Sequence, residues 1–88
     1  MKVEFRSSFT RDLKKVSENK VRQRVRQAIE QVETADQLAE IAQLKKLSGE
    51  GSYYRIRIGD YRIGLKVEQE TVIFVRCLPR RDIYRRFP

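Results

Sequence analysis

The chain has 88 residues, of which 20 are basic, 12 are acidic and none is histidine, and its formal net charge is +8. This length predicts one domain over residues 1–88, and no apolar run reaches the roughly 20 residues that a membrane-spanning helix needs. The first residues also lack the apolar core of a signal peptide. Because Cys77 is the only cysteine, an internal disulfide is excluded, which favours a cytoplasmic protein.

The positive charge is concentrated in the C-terminal part of the chain. Residues 53–88 carry nine basic side chains against four acidic ones, and eight of those nine are arginines. Scattered basic residues usually serve only solubility. Arginine, however, holds a phosphate group through two parallel hydrogen bonds, which lysine cannot do. A concentrated excess of arginine therefore favours a nucleic-acid partner.

The first part of the chain predicts one strand followed by two helices. Residues 2–6 alternate between polar and apolar side chains, which indicates a short strand. Ser8 is the predicted N-cap of a helix that begins at Phe9. The apolar face of this helix comprises Phe9, Leu13 and Val16. Asn19 is expected to end it, and a second helix begins near Lys20.

The second helix has the clearest helical periodicity in the chain. Its apolar face comprises Val21, Val25, Ala28, Ile29 and Val32. The opposite face carries Arg22, Arg24 and Arg26. We interpret these arginines as a solvated face, because Glu30 and Glu33 follow one or two turns later. A short connection predicts that the two helices pack as an antiparallel pair.

Residues 36–47 leave two interpretations open. Apolar side chains recur at every third position, which fits either a short helix or a loop packed against the domain. These side chains are Leu38, Ile41, Leu44 and Leu47. The segment Ser48-Gly49-Glu50-Gly51-Ser52 then predicts a turn-rich break before the next strand.

A β-hairpin follows, and it is the most informative stretch of the sequence. Apolar and polar residues alternate on both sides of Gly59-Asp60, which predicts two strands joined by a tight turn. One face of the hairpin then comprises Tyr54, Ile56, Ile58, Ile63, Leu65 and Val67, and points toward a core. The other face comprises Tyr53, Arg55, Arg57, Arg62, Gly64 and Lys66. This second face suits a polyanion.

The remaining residues predict one more strand and a basic tail. Residues 71–78 form a nearly continuous apolar run, as expected of an internal strand, and Glu68-Gln69-Glu70 turns the chain into it. Pro79 ends the strand. Residues 80–87 are expected to coil into a helical turn anchored by Tyr84 and Phe87.

The order β-α-α-β-β-β predicts an α+β fold. We expect a small, antiparallel-type sheet with the N-terminal helix pair on one face and the other face open and basic. No histidine, Cys/His cluster or glycine-rich nucleotide motif is present, and the carboxylates are scattered, so no metal and no cofactor is expected. Cys77, within an apolar strand, is interpreted as a buried small hydrophobic residue.

Three motifs together resemble the RelE branch of the RelE/ParE toxin superfamily. They are Leu44-Lys45-Lys46-Leu47-Ser48-Gly49, then Tyr54-Arg55-Ile56-Arg57-Ile58-Gly59-Asp60-Tyr61-Arg62-Ile63, then Arg80-Arg81-Asp82-Ile83-Tyr84-Arg85. The resemblance extends over nearly the whole chain. It implies a RelE-like fold and the toxin of a type II toxin–antitoxin system that cuts mRNA in the ribosomal A site. It also implies an antitoxin partner that wraps around the toxin, in an oligomeric complex.

The resemblance also implies roles for particular residues. Arg62, together with Arg80 or Arg81, would stabilise the scissile phosphate, and Tyr84 corresponds to the family's C-terminal tyrosine. Binding and orientation of RNA would fall to Arg55, Arg57, Lys46 and Lys66. Some family members have lysines at positions 55 and 57 or a histidine where Pro79 stands.

Two questions stay open at this level. Arginine is a poor proton shuttle, so the acid and base must be supplied by Lys66, Lys46, Glu50 or Tyr84, or by the RNA and the ribosome. Tyr84 itself either stacks on a base or activates the hydroxyl, or it anchors the tail. Two rival functions also remain, a ParE-like inhibitor of DNA gyrase without enzymatic activity and a plain nucleic-acid-binding domain.

Overall fold

The computed structural model describes residues 1–47, 49 and 51–88 and contains a sheet with helices on both of its faces. Its elements are β1 (Lys2–Phe5), α1 (Ser7–Lys14), α2 (Asn19–Thr34), one 3-10 turn (Leu38–Glu40), β2 (Leu44–Lys46), β3 (Tyr53–Ile58), β4 (Tyr61–Glu68), β5 (Thr71–Pro79) and α3 (Arg80–Arg86). None of the helices in this part of the chain is long and apolar enough to cross a membrane. The predicted α+β class is confirmed.

The five strands form one mixed sheet in the order β1-β5-β4-β3-β2. The β2–β3, β3–β4 and β4–β5 pairs are antiparallel, whereas β1 pairs with β5 in parallel. The parallel pair arises because the helices carry the chain across the sheet between β1 and the later strands. As predicted, β5 is internal, lying between β1 and β4.

The main core lies between the sheet and the first two helices. It includes Phe9, Val16, Val21, Val25, Ala28 and Val32 from the N-terminal region and Ile56, Ile58, Ile63, Leu65, Val67, Val72, Phe74 and Cys77 from the sheet. This set confirms the period-two pattern predicted for the hairpin. Cys77 is buried, also as predicted, and burial raises the pKa of its thiol from 9.0 to about 12.

The second face of the sheet is not fully open, contrary to the expectation from sequence. Helix α3 folds onto it, and Ile83 and Phe87 form a second apolar cluster with Leu78. The Phe87 ring lies so close to Gly64 that a Cβ at this position would be 2.8 Å from the ring carbons. Gly64 therefore provides the space that lets the C-terminal segment dock. The expectation failed because the tail's apolar residues were too few to predict a packed helix.

Helix α1 protects the part of β5 that β1 leaves unpaired. Strand β1 ends at Phe5, opposite Phe74, while β5 continues to Pro79. Beyond that point the Ser8 hydroxyl donates to the Val75 carbonyl at 2.6 Å, and the Asp12 carboxylate accepts from the Cys77 N–H at 3.0 Å. The prediction that Ser8 caps a helix is therefore wrong. The helix begins at Ser7, and the hydroxyl serves the strand edge instead.

Three other details differ from the sequence interpretation. Residues 36–47 contain a short 3-10 turn followed by strand β2, so neither a helix nor an unpaired loop describes the segment fully. Helix α2 begins at Asn19 itself. The tail is anchored by Ile83, which is fully buried, rather than by Tyr84, which is 59% exposed. The predicted break over residues 48–52 lies partly outside the described residues.

Candidate functional site

The basic residues of the hairpin meet at the end where its turn lies. Strands β3 and β4 are joined by Gly59 and Asp60, as predicted, and Gly59 has a φ of 56°. Arg57 and Arg62 are direct partners across the two strands. Directly paired residues share a face of a sheet, so both guanidinium-bearing side chains start from the same side. The predicted basic face is therefore a real feature of the sheet.

Arg62 is the buried member of this pair, with only 7% of its surface exposed. Its Nη1 donates to the carbonyl oxygens of Gly59 at 2.8 Å and Tyr61 at 2.9 Å. Its Nε is buried without a hydrogen-bond partner among the described residues. The prediction of an open sheet face does not hold at Arg62, whose partner on β5, Leu78, belongs to the apolar cluster with Ile83 and Phe87. The Arg62 side chain is thus bonded to the backbone at both sides of the hairpin turn.

Arg55 occupies the next position along the same face and is half-buried. Its Nη1 donates to the Gln43 carbonyl at 2.8 Å, and its Nε is also buried without a partner in the described part of the chain. Arg57, by contrast, is exposed. The face thus holds two guanidinium groups bonded to backbone carbonyls and one that is exposed.

Helix α3 brings the C-terminal arginines to the same end of the sheet. The Arg80 N–H donates to the Asp60 carbonyl at 2.8 Å, which ties the start of the helix to the hairpin turn. Arg80 and Arg81 then line a shallow concavity beside Asp60. Tyr84 lies three and four residues further, so it shares their side of the helix. Register thus pairs Arg57 with Arg62, and helix geometry puts Arg80, Arg81 and Tyr84 on one side of α3, whose first residue is bonded to the hairpin turn.

The two lysines proposed from sequence lie elsewhere. Lys66 is at the far end of β4, four residues or about 13 Å from Arg62, and its Nζ is 3.0 Å from a Glu68 carboxylate oxygen. That hydrogen bond and the charge of Glu68 raise the pKa of Lys66. Lys46 is in register with Tyr54 and Leu65, which places it on the sheet face that α1 and α2 cover. Its neighbour Lys45, in register with Arg55, shares the basic face.

None of the five arginines Arg55, Arg57, Arg62, Arg80 and Arg81 has a carboxylate partner in the described residues. The ion pairs there are Lys66–Glu68, Arg76–Asp12 and Arg85–Asp82. Asp60, although it lies in the turn, forms none of them. Several guanidinium groups are thus gathered without neutralisation, one of them buried. Burying a charge without a counter-charge is unfavourable. Such an arrangement is stabilised when an anion arrives, and a phosphate suits guanidinium groups best.

Sequence reasoning missed three residues that matter here. Lys45 was passed over because strand β2, which orients it, was not predicted. Asp12 is not part of the apolar face predicted for the first helix, yet it is 5% exposed and bound to Arg76. Arg24 is exposed, as predicted for a solvated face, but its proximity to the hairpin turn was not predicted: its Nη1 lies 3.1 Å from where a Cβ on Gly59 would be. Only the i, i+4 spacing of Asp12 from Ser8 hinted at a shared role.

In the parts of the chain that the structure describes, no group of three or more His, Cys, Asp or Glu side chains could hold a metal ion.

With the geometry established, similarity to known proteins decides the family. The sequence matches the family described as the ParE toxin of the type II toxin–antitoxin system, parDE, over residues 3–84. It is 43% identical over 89 residues to toxin RelE3 of Methanocaldococcus jannaschii, covering 100% of both chains. The chain belongs to this toxin family, in its RelE branch. It is therefore a type II toxin homologue, and the resemblance seen in the three motifs is confirmed.

Solved structures of the family agree with the fold. The RelB–RelE antitoxin–toxin complex from Methanococcus jannaschii matches with a TM-score of 0.83 and 40% identity, covering 97% of this chain and 99% of that one. The RelE–RelB complex from Pyrococcus horikoshii matches with a TM-score of 0.72 and 23% identity, covering 90% and 93%. The second similarity concerns the fold alone. In this chain, the hairpin and α3 are the elements that carry most of the C-terminal arginines.

Proposed function

We propose that this chain is a ribosome-dependent endoribonuclease that cuts mRNA in the ribosomal A site and so inhibits translation. The observation that carries the proposal is the buried, un-neutralised guanidinium of Arg62, next to Arg57 and tied through the turn to Arg80. A group fixed by the Gly59 and Tyr61 carbonyls needs little reorganisation to meet a developing negative charge. Membership of the RelE branch supports this reaction class.

The proposed reaction uses the RNA's own nucleophile. The 2′-oxygen attacks the adjacent phosphorus, its proton passes to a base, and the bond from phosphorus to the 5′-oxygen breaks. A proton then reaches that oxygen, giving a 2′,3′-cyclic phosphate and a free 5′-hydroxyl. Arg62 with Arg80 or Arg81 stabilises the charge of the pentavalent intermediate, while Arg57 and Arg55 hold the strand. Replacing the 2′-hydroxyl by hydrogen at the cleaved position should therefore abolish cleavage.

Among the side chains proposed for proton transfer, Tyr84 fits best. It is exposed on the same side of α3 as Arg80 and Arg81. Lys66 has a raised pKa because of its bond to Glu68, which keeps it protonated, and it lies at the other end of β4. Lys46 belongs to the opposite sheet face by register. Glu50 lies outside the described residues. We therefore assign the two proton transfers, from the 2′-hydroxyl and to the 5′-oxygen, to Tyr84, the RNA or the ribosome.

We also infer a cognate antitoxin as partner. Relatives that share this fold include toxins solved as RelB–RelE complexes. A net charge of +8 suits a partner with acidic segments. Cleavage of mRNA on translating ribosomes implies a cytoplasmic location. The toxin and antitoxin would form an inactive oligomeric complex until the antitoxin is lost.

Expression of the chain alone, followed by mapping of RNA 5′ ends, tests the proposal. We expect growth arrest with translated mRNAs cut inside coding regions at a fixed codon position, and relief by Arg62→Ala. The ParE name of the family description keeps gyrase inhibition as the rival, which predicts a DNA-damage response with intact mRNA. Neither effect, with RNA binding alone, would indicate a plain binding domain. Either of these last two results contradicts the proposal.

A further inference from the structure

The three arginines of α2 are not equivalent in the folded chain. Arg22 is committed to the fold, because its Nη1 donates to the carbonyls of Leu13 at 3.0 Å and Val16 at 3.2 Å at the end of α1. Arg26 lies two residues beyond Arg24, about 200° around the helix from it. Arg24 alone reaches the hairpin turn, with Nη1 3.1 Å from the Cβ position of Gly59.

Arg24 has donors to spare at that position. It is exposed, and neither a hydrogen bond nor an ion pair joins its guanidinium to any described residue, Asp60 of the turn included. A guanidinium carries five N–H donors in a planar fork. One that rests on a backbone turn without using them is available to a ligand.

A groove of about 290 Å³ runs from Arg24 to Arg57 between α2 and the edge of β3. It is lined by these two arginines, by Gln27, Gln31 and Gln43, and otherwise by apolar or small residues, with no acidic side chain. The groove between α1 and α3 differs, since Asp12 and Asp82 line it. An anion that enters the groove therefore meets two arginines and no carboxylate among the residues that line it.

The groove is continuous with the hairpin face. Arg57 lines the groove and is also the cross-strand partner of Arg62. An RNA strand held at Arg57 and Arg62 therefore has a path past the turn toward Arg24. Gln27 offers a side-chain amide along that path, whereas the Gln31 amide oxygen already accepts from the Ala42 N–H at 3.1 Å.

We propose that the α2–β3 groove binds an RNA phosphodiester outside the cleavage site, held between Arg24 and Arg57. This inference rests on the proposed function, because it takes the hairpin face to be an RNA surface. Arg24 is a binding residue in this scheme and has no part in the chemical step. A carboxylate of a protein partner would fit the two charges, but it would make no use of the continuity with Arg62.

The test compares Arg24→Gln with the matched control Arg26→Gln, which removes the same charge from the same helix. A fluorescent single-stranded oligonucleotide with 2′-O-methyl groups, which resists cleavage, reports binding by anisotropy across a salt series. Arg24→Gln should weaken binding about tenfold and flatten the slope of log affinity against log salt by about 0.7, the value for one phosphate on a single strand. Arg26→Gln should change the affinity less than about twofold.

A second arm separates the two possible sources of RNA. The same variants are titrated against ribosomes without mRNA. A loss confined to the oligonucleotide assigns the groove to the message, and a loss confined to ribosomes assigns it to ribosomal RNA. Equal behaviour of the two variants in both arms overturns the proposal, as does a selective loss of antitoxin binding by Arg24→Gln. Failure of the proposed function gives a different result from failure of this inference. In that case the wild-type chain itself binds RNA without cutting translated mRNA, or does not bind RNA.

Discussion

The carboxylate of Asp12 and the guanidinium of Arg76 form a two-pronged ion pair that joins α1 to β5. Arg76 Nε lies 2.7 Å from Oδ2 and Nη2 lies 3.1 Å from Oδ1, and Oδ2 also accepts from the Cys77 N–H. The Asp12 side chain is 4% exposed and that of Arg76 is 20% exposed. The Asp12 carboxylate also holds the pKa of the Arg76 guanidinium above its ordinary value. This pair fixes the helix against the strand edge that β1 does not reach.

Removing Asp12 should therefore destabilise the fold strongly. Asp12→Ala should lower the free energy of unfolding by about 3 kcal/mol, because it strands a largely buried charge and an edge N–H group. Urea denaturation measures the loss as a lower midpoint with unchanged slope. The control is Arg85→Ala, which removes the exposed Asp82–Arg85 pair and should change stability by less than about 0.5 kcal/mol. Equal losses in the two variants would contradict this interpretation.

Gly64→Ala should loosen the docking of α3. Its Cβ would lie 2.8 Å from the Phe87 ring, so either the ring or the strand must move. Overpacking of this kind costs about 1–3 kcal/mol. Thermal denaturation measures the effect, and Phe87→Leu in the Gly64→Ala background should restore part of it by removing ring atoms. Strictly additive losses in the double variant would show that the two residues do not oppose each other.

Tyr84 and Ile83 should separate activity from stability. Tyr84→Ala should leave the unfolding midpoint nearly unchanged, since the side chain is 59% exposed. It should also slow mRNA cleavage, because a stacked base contributes about 1–3 kcal/mol. Ile83→Ala should lower the free energy of unfolding by about 2–5 kcal/mol, because Ile83 is fully buried. A stability loss for Tyr84→Ala as large as that for Ile83→Ala would identify Tyr84 as a structural anchor instead.

Cys77 should make stability fall at alkaline pH. Burial raises the pKa of its thiol from 9.0 to about 12, so the folded chain keeps the proton that the unfolded chain loses first. Stability from this group is complete below pH 9 and declines as the pH rises toward 12. Denaturation at several pH values should give a steeper decline for wild type than for Cys77→Ala. Parallel declines would mean that the thiol is not protected by burial.

Much of the fold could be predicted because periodicity and turn chemistry agree over the hairpin and α2. Alternation around Gly59-Asp60 gave the correct inward residues from Ile56 to Val67. The helical spacing from Val21 to Val32 gave the buried side of α2. These segments carry their structure locally. Short elements did not, and β2 was missed because three residues contain too little pattern to separate a strand from a loop.

The arrangement of the site was less predictable, because it depends on tertiary contacts. The sequence placed Arg62 on the basic face but gave no sign that it would be buried. The separation of Arg24 from Arg22 and Arg26 likewise arises only when the Gly59 turn meets α2. The local pattern gave no sign that Asp12 is buried, because its partner, Arg76, lies 64 residues away. When the partner of a charged residue is distant in sequence, no local pattern predicts the contact between them.

The most direct test of the account is the single-turnover cleavage rate of mRNA on programmed ribosomes, measured for Arg62→Gln and for Arg85→Gln as the matched control. Arg85 lies on α3 and is exposed, with its charge directed to Asp82. If Arg62 stabilises the scissile phosphate, Arg62→Gln should slow cleavage by about 10²–10³-fold while Arg85→Gln stays within about twofold of wild type. A folded Arg62→Gln chain that cleaves at the wild-type rate would contradict the account.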